Sequence, residues 1–338
     1  MKVFISGGAG FIGSNLAHKH LSRGDKVLVY DNFSRKGTEL NAKWLKKDAP
    51  NVKNLKIIKG DVRDYVKLSK YLRNFDIIYH EAAQVAVTTS LVDPITDFEI
   101  NAGGTVNMLE AFRKYSKNAV FVYASTNKVY GNLEDLKCKV KNKKYVFSSK
   151  DYKKGISEKR GLDFHSPYGC SKGTGDQYVR DYGRVFDLKT VVFRQSCIYG
   201  QRQFGNEDQG WVMHFVKSMV NEKKLSIYGD GMQIRDILHV DDLINAYFLA
   251  VKKIKISKGK VYNIGGGVKN SISLLELISI MEKKVTSRIK YSFSNWREGD
   301  QKIYISDCTK LENELGWKPK INKVEGVDRL LSWAKTID

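Results

Sequence analysis

Six short apolar runs mark the first part of the chain, and each gives way to glycine or polar residues. They are Lys2 to Ser6, Lys26 to Tyr30, Leu55 to Ile58, Ile77 to Tyr79, Ala119 to Tyr123 and Thr190 to Arg194. Between them lie stretches of helical character, among them the residues after Gly13 and the periodic run Asn101 to Tyr115. Strands alternating with helices predict βαβ units, and so an α/β, Rossmann-type doubly wound parallel sheet. Beyond Arg194 the alternation loosens. Gly200 to Gly210 reads as a polar loop, Asp230-Gly231 as a turn, and Ser273 to Glu276 as a capping box opening an apolar helix. This part predicts a smaller C-terminal α/β lobe, some of whose segments return to the sheet.

Composition narrows the picture. At 338 residues and 42% apolar, the chain can form one large domain or two joined ones. No run approaches the roughly 20 apolar residues of a membrane helix, and Met1 to Gly7 is too short for a signal peptide. Cys138, Cys170, Cys197 and Cys308 lack paired or metal-like spacing, so no metal site is expected and reduced thiols suit the cytoplasm. The formal charge of +21 raises nucleic-acid binding as a rival. Its lysines, however, are spread along the chain, and only Lys137 to Lys154 is densely basic. A solvated surface fits that spread better than a nucleic-acid interface. Lys137 to Arg160 reads as an exposed insertion without chemistry.

Ligands of such sheets collect at the carboxyl ends of the strands, where the glycine loop, Asp31, Asp61, Ala82 and Ser125 all fall. Gly7, Gly10 and Gly13, with Phe11 and Ile12 between them, follow a strand and open a helix. That context favours a pyrophosphate cradle over a purely structural glycine turn. Asp31, 18 residues after Gly13, can accept hydrogen bonds from both ribose hydroxyls and repel a 2′-phosphate, which favours NAD. Asn32, Ser34 and Arg35 continue the same loop, and Arg35 with Lys36 keeps NADP open. Asp61 and Val62 sit where the adenine edge would lie, with a solvated loop aspartate as the plainer reading. Ala82, Ala83 and Gln84 leave room for the nicotinamide ribose, and Asn101 joins this cofactor set.

Tyr168 and Lys172 are spaced i,i+4 and share one helix face. A phenol titrates near pH 10, and an ammonium one turn away favours the phenolate, giving a proton-transfer group. Ser125-Thr126 ends a strand, where its hydroxyls can orient a reacting alcohol toward Tyr168; a strand-end cap is the alternative. His165 reads as structural, and nothing around Cys170 or Cys197 suggests a thiolate.

The glycine loop, Asp31, Ser125-Thr126, Tyr168/Lys172 and Gly229 to Asp236 together resemble the extended short-chain dehydrogenase/reductases acting on nucleotide sugars. The resemblance extends to Leu315-Gly316-Trp317-Lys318-Pro319. The runs Gln84 to Ser90, Ser125 to Gly131, Leu162 to Lys172 and Asp208 to Val212 look like the branch that epimerises CDP-paratose and CDP-tyvelose. The resemblance implies transient oxidation at C2 by tightly bound NAD, turning of the keto sugar, and re-reduction. It implies a nucleotide-sugar substrate and a homodimer or homotetramer, with no nucleic-acid or membrane partner. Residues 1–194 would bind NAD, a segment near 232–262 would return to that unit, and 195–338 would mainly form the substrate lobe. Arg235 and Arg297 would hold the diphosphate, while Thr126, Asn127, Gln209, Gly210 and Trp211 would line the sugar or nucleotide pocket. The family's dehydratases carry Asp-Glu where Asn127-Lys128 stands here, and an amide with an ammonium cannot replace that acid/base pair. A C4-epimerase of the UDP-galactose type, and a catalytically silent NAD-binding regulator or RNA-binding protein, remain as rivals.

Overall fold

The computed structural model describes residues 1–284, 288–297 and 300–337. Five strands, β1 (Lys2–Ser6), β2 (Lys26–Asp31), β3 (Leu55–Lys59), β4 (Ile77–His80) and β5 (Val120–Thr126), form most of the principal sheet. Lys189–Gln195 and Lys260–Ile264 complete it as a seven-stranded sheet, ordered Lys260–Ile264, Lys189–Gln195, β5, β4, β1, β2, β3. Every pairing is parallel, with β1 in register against both β2 (Val3 opposite Val27) and β4 (Val3 opposite Ile77).

The apolar runs are continuous because helices cover both faces of the sheet. Successive side chains point to opposite sides. Val3 and Ile5 therefore enter a core shared with Leu16, Val29, Val122 and Leu243. Phe4, on the other face, packs with Leu28, Met108, Phe112 and Phe121. Fully burying such a side chain stabilises the fold by roughly 1.5–3 kcal/mol.

The smaller sheet is built around Ile234–His239. This strand pairs with Ser271–Ser273 antiparallel and with Ile303–Tyr304 and Cys197–Tyr199 parallel. Its core includes Met213, Phe215, Ile237, Ile272, Leu277 and Leu330. The chain then re-enters the principal unit: helix Val240–Lys252 and strand Lys260–Ile264 contribute Leu243, Tyr247 and Ile264 to its core, as do Leu311, Leu315 and Trp317 further on. The segment near 232–262 is thus divided, its first strand in the smaller sheet and its helix and last strand in the larger. Helix Leu274–Glu282 opens with the capping box, Ser273 and Glu276 bonding reciprocally to each other's backbone N–H.

Lys137 to Arg160 has more order than an exposed insertion. Cys138–Lys141 and Lys144–Phe147 form an antiparallel hairpin. Tyr145 fastens it to the lobe, donating its N–H to the Met232 carbonyl (3.2 Å) and its hydroxyl to Asp230 (2.6 Å). Among the described residues no helix is long and apolar enough to cross a membrane.

Candidate active site

Strand order reverses between β1 and β4, and the crevice outside their carboxyl ends is where an open α/β sheet takes its ligand. Gly7 leaves β1 with φ +66° and donates its N–H to the Tyr30 carbonyl at 2.8 Å. A Cβ on Gly7 would lie 2.6 Å from the Ala82 nitrogen, and one on Gly13 would lie 2.3 Å from the Gly7 oxygen. Helix α1 (Phe11–Ser22) starts at Gly10 with no side-chain cap. Its first N–H groups and positive dipole end therefore face the crevice, as a pyrophosphate requires.

Asp31 closes β2, buried, its carboxylate accepting from the N–H of Ala9 (2.9 Å) and of Phe33 (2.8 Å). Burial pushes its pKa up and these backbone donors oppose the rise. A carboxylate has about four lone-pair sites, so acceptor capacity remains for a diol. Asn32 reaches Asp61 at 3.0 Å, and Ser34 donates its N–H to the Asn32 amide oxygen. Burial opposes ionisation of Asp61, but the two-pronged Arg63 contact and the Asn32 amide hold its pKa near 2. Val62 is buried beside Gly104. Arg35 donates to the Gln209 side-chain oxygen.

Gln84 and Asn101 are held in the scaffold. The Asn101 amide accepts from the Gln84 N–H (3.0 Å) and donates to the Gln84 carbonyl (3.0 Å) and Ser171 (3.1 Å). Gln84 turns its own amide to Asp97 and the Ala86 carbonyl. Together they clamp the β4 loop to the helix Ser166–Val185, which carries Tyr168 and Lys172.

A cavity of about 400 Å³ gathers most of the remaining residues. Its lining includes Phe11, Ile12, Ala83, Ser125, Thr126, Asn127, Tyr168 and Lys172 from the larger unit, and Gln209, Gly210, Trp211, Arg235 and Arg297 from the later part of the chain. Tyr168 is only 9% exposed, and burial raises its pKa to about 12 although a hydrogen bond to Thr126 works against the rise. Lys172, 3% exposed, lies with Nζ 4.3 Å from the Tyr123 ring centre, and burial lowers its pKa to about 8. In the protein alone burial dominates both groups, and the Thr126 hydrogen bond, with the charge of Arg35, acts in favour of the phenolate.

Ser125 donates to Asp176 at 2.7 Å, and Arg194 grips the same carboxylate through two contacts of 2.9 Å. This buried pair fixes the end of β5 against the Tyr168 helix. Sequence reasoning missed it, because no spacing signal links a helix residue to the following strand. Also lining the cavity, Arg235 donates to Asp300 at 2.6 Å. Arg297 lies 3.8 Å from the Tyr228 ring centre and within 3.5–3.6 Å of Glu207 and Asp208. Both guanidinium groups thus border the cavity but are engaged by carboxylates. Burial, then the neighbouring Arg235, lowers the Lys128 pKa to about 8.

The family described as GDP-mannose 4,6 dehydratase matches residues 4–330. The chain is 43% identical over 344 aligned positions to CDP-paratose 2-epimerase of Salmonella typhi, covering 100% of both chains. It is 31% identical to a putative UDP-glucose 4-epimerase of Methanocaldococcus jannaschii, covering 98% of each. The solved structure of UDP-glucuronic acid 4-epimerase from Bacillus cereus, in complex with UDP-glucuronic acid and NAD, superposes with a TM-score of 0.85 at 29% identity and 100% coverage of both chains. Agreement from end to end, on a sheet of this order and around a crevice of this construction, places the chain in the GDP-mannose 4,6-dehydratase family, within the extended short-chain dehydrogenase/reductase epimerases and dehydratases.

Proposed function

We propose that the protein is an NAD-dependent epimerase inverting C2 of a CDP-activated hexose of the paratose/tyvelose type. The observation that carries this reading is the shared cavity, whose lining brings Tyr168, Lys172, Ser125 and Thr126 together with Arg235 and Arg297. The 43% identity to CDP-paratose 2-epimerase supports the choice of carbon and base. The narrow glycine loop, the uncapped start of α1 and the spare acceptor sites of Asp31 fit a dinucleotide, and NAD is what the Bacillus cereus structure holds. When bound, NAD supplies a hydride acceptor that returns the hydride within the same turnover.

In this reading Tyr168 removes the proton of the sugar hydroxyl and later gives it back, with Thr126 orienting both groups. Lys172 keeps positive charge beside the phenolate and donates to the cofactor ribose. Arg235 and Arg297 exchange their carboxylate partners for diphosphate oxygens, which suit guanidinium forks. Anchoring by the nucleotide end leaves the sugar free to turn. Asn127 and Lys128 supply no carboxyl pair for water elimination, so epimerisation is favoured over dehydration. Residues 1–194 with the returning segments serve the cofactor, while the rest chiefly serves the substrate. The same reading makes the enzyme a cytoplasmic homodimer or homotetramer.

A panel of CDP-, GDP- and UDP-hexoses followed by NMR tests the function: inversion at C2 of the CDP sugar is expected, and inversion only at C4 of a UDP sugar would overturn it. Asp31→Ala is expected to weaken NAD binding about tenfold or more, since charge-assisted hydrogen bonds contribute about 1.5–3 kcal/mol each. It should also narrow the gap to NADP, as titration calorimetry on dinucleotide-free protein would show. An unchanged preference would move discrimination to Arg35 and Lys36.

A further inference from the structure

Glu81 follows β4 directly, at the crevice where strand order reverses, and its N–H donates to the Ser6 carbonyl at 3.1 Å. Its side chain lines the same cavity as Ile12, Ser125 and Lys172. Burial pushes the carboxyl's pKa up to about 7, and two neighbours act the other way, toward the ionised form. The Tyr247 hydroxyl hydrogen-bonds to it. That hydroxyl already accepts from the Gln195 amide at 2.7 Å, so its proton is directed at Glu81. Lys172 adds a positive charge nearby. Oxygen Oε1, in contrast, is buried without a hydrogen-bond partner among the described residues.

A purely structural carboxyl would fill both oxygens with donors, because an unmatched buried acceptor is destabilising. Here one oxygen is held by a donor, and the other is buried without one in the neighbourhood of Lys172. The proposed reaction takes place in that part of the cavity, and the group that changes charge there is the nicotinamide ring, cationic when oxidised and neutral when reduced. An anion close to it stabilises the oxidised form alone.

We propose, on the reading of the protein as an NAD-dependent epimerase, that Glu81 is the counter-charge of the oxidised nicotinamide and biases the bound dinucleotide against staying reduced. The hydride, two electrons with one proton, moves from the sugar carbon to the nicotinamide and returns to the same carbon. No external oxidant is consumed. If the keto sugar escaped, the dinucleotide would be left reduced and the enzyme idle. Glu81 favours the return step and so limits that loss.

The test is a mediated redox titration of the holoenzyme, read by the near-ultraviolet absorbance of the dihydronicotinamide. At a fixed poise, Glu81→Gln is expected to raise the reduced-to-oxidised ratio about tenfold over wild type, about 30 mV for a two-electron couple. Tyr247→Phe keeps the carboxyl but removes its proton donor, and is expected to shift the ratio in the same direction by less. It also carries the test should Glu81→Gln not fold. Ratios within twofold of wild type in the folded variants, with dinucleotide bound, would overturn the counter-charge role while leaving the epimerase reading intact. A wild-type protein that binds no dinucleotide would overturn both.

Discussion

Tyr168→Phe should lower turnover by about 10²–10⁴-fold, the usual contribution of a positioned general acid/base, while the dinucleotide stays bound. The substitution removes one hydroxyl from a buried ring and leaves the packing of helix Ser166–Val185 intact. What is lost is the oxygen that Thr126 hydrogen-bonds and that faces the cavity. In the protein alone that phenol stands near pKa 12, so it is a poor base until positive charge gathers around it. Lys172 stands on the same helix already, and an oxidised nicotinamide would add positive charge once dinucleotide is bound. Kinetics by NMR, with dinucleotide extracted and quantified from the same preparation, decide the matter. Near-wild-type turnover would remove Tyr168 from the chemistry.

Asp176→Asn should destabilise the fold by about 3–5 kcal/mol, the range for breaking a buried ion pair by removing one partner. Asp176 is 0% and Arg194 3% exposed, and the fork between them is bidentate. Arg194 also donates to the Tyr130 hydroxyl at 3.0 Å, which in turn donates to Asn263 at 2.7 Å. The neutral amide would leave the guanidinium without a counter-charge and take from Ser125 its charged acceptor. Denaturant unfolding should show a lower midpoint at an unchanged slope. A midpoint equal to wild type would mean that the pair does not stabilise β5.

How much could be read from the sequence follows from where the signals lie. The seven parallel strands are mostly apolar runs, and the glycine loop, Asp31, Tyr168 and Lys172 declare themselves by local spacing. The hairpin Cys138–Phe147 was hidden because its strands are short and lysine-rich, and its turn residues Asn142 and Lys143 both take positive φ without a glycine to announce them. The scaffold roles of Gln84 and Asn101 depend on contacts with Asp97 and Ser171, which only the folded chain brings together. The Asp176–Arg194 pair was hidden for the same reason. One-turn spacing shows Lys172 as a neighbour of Tyr168 but not the burial that acts on both groups.

In the proposed reaction one hydrogen leaves the sugar carbon as hydride and comes back to it. Epimerisation of the CDP-hexose in D₂O, followed by NMR and mass spectrometry of the product, tests this directly. Direct return predicts inversion at C2 with no deuterium on that carbon, by protein purified with NAD already bound. Stoichiometric deuterium at C2 would show deprotonation beside a carbonyl instead, and would contradict direct hydride return.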